Sequence, residues 1–168
     1  MLQNRLCETL LQKIKVKWHD SVNRDTSIRG SGGNKLRKYK LCKHIFETEE
    51  YCKCILSKSH RSAFAKFRAG VPPIRIELGR YEGLSVQERK CPFCRIDVED
   101  EFHVLFHCPL YSDIRQELYH KSSVENAEFL TLDDENKFQF IFVNRKMIRI
   151  CAKTCYLILQ RRNMFMCR

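Results

Sequence analysis

The stretch Cys91-Pro92-Phe93-Cys94-Arg95-Ile96-Asp97-Val98-Glu99-Asp100-Glu101-Phe102-His103-Val104-Leu105-Phe106-His107-Cys108 decides how the rest of the chain is read. Its pattern is Cys-x2-Cys-x8-His-x4-Cys. Two thiolates separated by two residues can grip one ion from a tight turn, and an imidazole with a third thiolate then completes a tetrahedral shell. Soft sulfur plus imidazole favours Zn2+, with iron as the second choice. Cys91, Cys94, His103 and Cys108 would fill all four places from protein, which argues for one structural Zn2+ and against hydrolysis at the metal. His107 stands four residues after His103 on one helical face, so Cys91, Cys94, His103 and His107 form an alternative set. The spacing speaks against that set, because a two-Cys two-His finger leaves about twelve residues between its pairs.

The flanks suit a metal site. Pro92 fixes the backbone inside the turn, and Phe93 can pack over it. Pro109 disfavours helix at Cys108 but is well placed to open a following helix. Cys108 would then sit at a helix N-terminus, where the dipole helps to hold a thiolate. Leu110, Ile114 and Leu118 keep helical spacing and would dock that helix under the site.

Three runs together resemble a known region: Phe67-Arg68 with Ile74-Arg75-Ile76-Glu77-Leu78-Gly79-Arg80-Tyr81; Glu88-Arg89-Lys90-Cys91-Pro92-Phe93-Cys94; and Val98 through Tyr111 with Arg115. They are similar to the C-terminal part, downstream of the polymerase, of reverse transcriptase polyproteins from LINE-type (non-long-terminal-repeat) retrotransposons. The resemblance is densest from about Arg61 to Tyr119 and thins toward both ends. It implies a zinc-binding Cys-Cys-His-Cys knuckle involved in handling RNA or DNA, and as a possible partner the remainder of a retroelement polyprotein.

The chain is 168 residues long, enough for one domain with a real core, and carries a formal charge of +11. That charge points to a polyanionic partner. Residues 1–70 hold 16 Lys/Arg against 6 Asp/Glu, whereas residues 71–168 hold 15 against 14. The phosphate-attracting part is therefore N-terminal. The stretch between the ligand pairs is acidic (Asp97, Glu99, Asp100, Glu101) and would repel phosphate, so the metal is expected to brace the fold. No run approaches the ~20 apolar residues of a membrane span, and the N-terminus lacks a secretory pattern. Ten cysteines without such a signal read as reduced thiols of an intracellular protein, nuclear or cytoplasmic.

Leu2, Leu6, Leu10, Leu11, Ile14 and Trp18 predict a helix to about residue 23, with Lys13, Lys15 and Lys17 interleaved. Its basic face is either solvated or laid along RNA or DNA, and its apolar face is either ordinary or made for a missing neighbour. Residues 26–34 read as a Gly/Ser linker, not a phosphate loop, since no Gly-Lys-Ser/Thr closes it. Lys35, Arg37, Lys38 and Lys40 surround Tyr39 in a short predicted helix and suit backbone contact with base stacking, or a charged solvated face. Cys42, His44, Cys52, Cys54 and His60 offer ligands for a second metal site, but Cys-x-Cys spacing is irregular for a zinc knuckle, and small buried or exposed thiols are the favoured reading.

A helix is predicted to Ala69, stopped by Gly70-Val71-Pro72-Pro73. The alternation Ile74-Arg75-Ile76-Glu77-Leu78 predicts a short strand, with a small hairpin framing the first cysteine pair. Arg68, Arg75, Arg80 and Arg89 are candidate phosphate contacts, with salt bridges to Glu77, Glu82 or Glu88 as the alternative. Asp133 and Asp134 open a helix as N-cap and first-turn acid rather than as a polymerase metal site. A last helix buries Ile148, Cys151, Ala152, Cys155, Ile158 and Leu159, and turns Arg145, Lys146, Arg149, Lys153, Arg161 and Arg162 to nucleic acid or water.

The fold class expected is mainly α, a helical domain with a small β-hairpin/zinc-knuckle insert. Residues 1–34 would form a basic helix and linker, and residues 35–168 the helical domain with its knuckle at 91–108. No nucleophile–base pair or open metal site is visible, so the chain is expected not to be an enzyme by itself. The function expected is a zinc-braced module that binds RNA or DNA through its basic N-terminal half. The alternatives are a protein-interaction module and a transposon remnant without independent function.

Overall fold

Helix dominates because apolar side chains recur every three to four residues through most of the chain. The structure, a computed structural model, describes residues 2–23 and 37–166. The predicted Gly/Ser linker and Lys35 lie outside the described residues. The α-helices are α1 (Leu2–Asn23), α2 (Tyr39–Cys42), α3 (Glu50–Lys53), α4 (Lys58–Ala69), α5 (Arg75–Tyr81), α6 (Ser112–Glu125), α7 (Asp134–Val143) and α8 (Ile148–Met166). Short 3-10 turns stand at Val86–Glu88, Pro109–Tyr111 and Phe129–Thr131.

α8 is the central strut. It packs along α4, and α6 and α7 lie against it. Ile148, Cys151, Ala152, Cys155 and Ile158 form its buried stripe, so the two cysteines are core residues as expected. Phe64 and Phe67 meet that stripe from α4, and Phe138, Ile141 and Phe142 from α7. Rings of the two helices touch, with Phe64 and Phe142 centroids 4.8 Å apart. Asp133 caps α7 as predicted, its carboxylate accepting the Asn136 N–H at 2.8 Å.

α4 ends where Gly70 turns into the left-handed region at φ 76°. Val71 N–H then donates to Lys66 O at 2.9 Å, closing the helix end. A Cβ on Gly70 would stand 2.8 Å from the backbone nitrogen of Lys38, so conformation and space both demand glycine. Gly70→Ala is expected to cost about 2–4 kcal/mol, read as a lower urea midpoint at unchanged m-value.

Two expectations are corrected here. Residues 75–81 are helical, not a strand. Five alternating residues are too few to fix a period, and α5 gains an N-terminal anchor the sequence does not announce. Arg75 N–H donates to a Glu99 carboxylate oxygen at 2.7 Å, and Ile76 N–H to the Glu99 carbonyl at 3.0 Å. The β-hairpin is likewise not formed. Among the described residues there is no strand, only a single antiparallel bridge between Lys90 and Val98. The residues between them are taken up by the cysteine turn, which leaves no length for a ladder.

Candidate metal centre

Cys91, Cys94, His103 and Cys108 come together, their ligand atoms all within 4.8 Å of one another. The first pair sits on a tight turn in which Arg95 N–H donates to Cys91 O at 2.9 Å and Cys91 N–H to Asp97 O at 2.8 Å. Arg95 takes a left-handed φ of 58° to bring the chain round. The second pair sits on one turn of π-helix, His103–His107. Asp100 caps its entry, its carboxylate accepting His103 N–H at 2.8 Å. Cys108 N–H closes the turn on His103 O at 2.7 Å, and the extra residue of the π turn sets Cys108 against His103.

The distances fit one small ion. Cys91 Sγ and Cys108 Sγ are 3.8 Å apart, the edge expected, at about 3.8 Å, for a tetrahedron with bonds of about 2.3 Å. Cys94 Sγ and His103 Nε2 are 3.3 Å apart, slightly inside the S···N edge of such a shell. The described cysteines are all free thiols, and the Cys91–Cys108 separation is far beyond a disulfide bond. The site is also built to hold thiolate. Cys91 is pushed down to about 3, chiefly by the hydrogen bond from the Cys108 thiol, against burial and with help from His103 and the N–H groups of Cys94 and Phe93. Cys108 is pushed up by the same contact and by burial. The contact between the two sulfurs thus favours one thiolate in the pair.

His107 is turned away from this cluster. Its ring is exposed and its Nε2 meets Asp134 at 2.7 Å. Cys108, fully buried, occupies the fourth corner. Among the described residues no other group of three or more His, Cys, Asp or Glu side chains gathers, so Cys42, His44, Cys52, Cys54 and His60 do not build a second site.

No family model, curated protein or solved structure matches the chain.

The acidic stretch between the ligand pairs proves to be largely internal. Glu99 is fully buried and takes both Arg162 Nε and Nη2, each at 2.9 Å, while capping α5. Glu101 is buried against Arg37 Nη2 at 2.6 Å. Asp97 alone of the four is exposed. Arg115 is buried beside the centre, its Nη1 directed at Val104 O on the π turn at 3.4 Å. Burial lowers its pKa, and the neighbouring Tyr119, Cys108 and Asp113 oppose that shift.

The predicted nucleic-acid contacts divide in two. Arg37 bridges Glu77 at 2.7 Å and Glu101, and Lys38 places its ammonium 3.2 Å from the centre of the Phe102 ring. Arg68 is buried, pairs with Glu49 and donates to Cys42 O. Arg80 pairs with Glu77 at 3.1 Å and Arg75 with Glu82 at 2.8 Å. Arg89 is buried across Gly79 and donates to Ile76 O at 2.9 Å. These cations close the fold. Lys13, Lys15, Lys17 and Lys40 are exposed. The long-range partners Glu99–Arg162 and Arg37–Glu101 carry no local sequence signal, because more than sixty residues separate each pair.

Proposed function

We propose that the chain is a zinc-braced nucleic-acid-binding module that works by holding its partner, not by chemistry on it. The observation that carries the metal half is the Cys91–Cys108 separation of 3.8 Å inside a four-ligand cluster supplied wholly by protein. Three thiolates and one imidazole around Zn2+ leave one net negative charge, and buried Arg115 is placed to offset it. Zinc bound there ties the cysteine turn to the π turn and, through Glu99 and Arg162, to α8.

The nucleic-acid half rests on the +11 charge. It also rests on the similarity of residues 61–119 to the C-terminal region of LINE-type reverse transcriptase polyproteins. Phosphate contacts would be sequence-tolerant and strongly salt-dependent. The test is binding of the zinc-loaded chain to single-stranded RNA and DNA at 50 and 200 mM salt. Affinity is expected to fall by more than about tenfold between the two. No binding at 50 mM would refute this half while leaving the metal centre standing.

One observation favours a second reading, a protein-interaction module. Leu10, Leu11, Ile14 and Val16 of α1 are each about half exposed, and exposed apolar surface of this kind marks interaction sites where it is contiguous. Salt-insensitive binding to a protein, lost in Leu11→Gln/Ile14→Gln, would select it. No helix among the described residues is long and apolar enough to cross a membrane.

A further inference from the structure

With the arginines of residues 37–89 engaged inside the fold, the question is where a phosphate backbone would find open cations. A groove of about 500 Å³ is lined by Lys53 and Cys54 at the end of α3, by Ile55 beyond it, and by Arg145, Lys146 and Arg149 where α7 turns into α8. The four cations are all exposed. Two have carboxylate neighbours: Lys53 pairs with Glu50 at 2.5 Å and Lys146 with Glu125 at 2.7 Å. Arg145 lies close enough to Glu50 to help hold that carboxyl below its usual range, after the larger effect of Lys53. Glu47 acts on Lys53 as well, so the four cations face the carboxylates of Glu47, Glu50 and Glu125.

The cations are held in place by the fold. Asn144 accepts Lys146 N–H through its side chain at 3.0 Å, and its carbonyl accepts Met147 N–H at 2.9 Å, which fixes the turn that carries Arg145 and Lys146. Met147 is buried and anchors that turn in the core. Arg145 stands in that turn, just ahead of α8, and Arg149 lies on the first turn of α8 itself. Ile55, 86% exposed, adds an apolar contact on the same groove.

We infer that this groove is a phosphodiester site, taking two successive phosphates of a single-stranded nucleic acid between Arg145, Arg149 and the two lysines, with Ile55 against the intervening sugar or base. The inference rests on the nucleic-acid reading and gives that reading an address outside the knuckle and outside α1. Two arginine forks match phosphate oxygens in pairs, which suits a polyphosphate backbone. Cations from α3 and from the α7–α8 corner meet on one groove, the kind of positively charged channel that tracks a nucleic-acid backbone.

The test uses the full zinc-loaded chain, a fluorescein-labelled 20-nucleotide oligouridylate, and Arg145→Glu/Arg149→Glu beside Lys13→Glu/Lys15→Glu/Lys17→Glu. The groove variant is expected to bind at least about thirtyfold more weakly at 50 mM salt, with the slope of log affinity against log salt reduced by about 1.4. Zinc content and melting temperature should stay unchanged, since both side chains are exposed, and Arg145→Lys/Arg149→Lys should restore most of the binding. Wild-type affinity and slope in the groove variant, with loss only in the α1 variant, would overturn the site and spare the function. If the wild type bound no RNA, the site would be tested alone with inorganic tripolyphosphate, followed by amide shifts. Shifts confined to residues 53–55 and 145–149 would support it, and none there would overturn it. Equal displacement of RNA by polyglutamate would overturn the assignment to phosphate.

Discussion

Cys108→Ser is expected to release the metal and abolish the cooperative unfolding transition together. Binding free energy at a structural zinc site is folding free energy, about 10–16 kcal/mol in small zinc modules, against a net domain stability of about 5–15 kcal/mol. Losing one thiolate from a closed shell cannot be absorbed at that scale. The damage would not stay local, because Cys108 is fully buried and stands between the π turn and the 3-10 turn that opens α6. Zinc per chain by mass spectrometry and a thermal melt by circular dichroism read both effects on one sample. A variant that kept one zinc and melted as the wild type does would remove Cys108 from the ligand set. His107→Ala provides the contrast. It loses one contact between partly exposed groups, with Asp134, worth less than about 1 kcal/mol.

Arg162→Met carries the second large effect. It strips the guanidinium from a fully buried Glu99 while leaving that carboxylate capping α5. Breaking a buried pair from one side costs about 3–5 kcal/mol, since the remaining charge has no partner. For a chain of this size that corresponds to a melting temperature lower by roughly 6–20 °C. Glu99→Leu/Arg162→Met should cost less than the two single changes added together, because no orphan charge remains. Additive losses would mean that the pair does not couple the knuckle to α8.

Most of the helices and the Cys/His cluster were legible because each depends on local spacing. Cys91 and Cys94 share a turn, and His103 and Cys108 share the next one, so residue type and interval alone expose the chemistry. α8 was legible from its stripe of Ile148, Cys151, Ala152, Cys155 and Ile158. What could not be read was which charges the fold would use up. Arg37, Arg68, Arg75, Arg80 and Arg89 look like a phosphate-binding series in one dimension, yet each is held by carboxylates or carbonyls, some of them distant in sequence. The same blindness made Glu99 and Glu101 look like a repulsive loop when both are buried counter-charges. The mistaken strand at Ile74–Leu78 has the same root, because the cap that makes it helical comes from Glu99, about two dozen residues downstream. Conversely, the groove between α3 and the start of α8 joins Lys53 to Arg145 and Arg149, which no window of sequence places side by side.

The most direct measurement is zinc stoichiometry by native mass spectrometry on the purified wild-type chain, Cys108→Ser and His107→Ala. One zinc in the wild type, one in His107→Ala and none in Cys108→Ser is the result expected of a closed Cys91, Cys94, His103, Cys108 centre. No zinc in the wild type, or zinc lost with His107 and kept without Cys108, would contradict it.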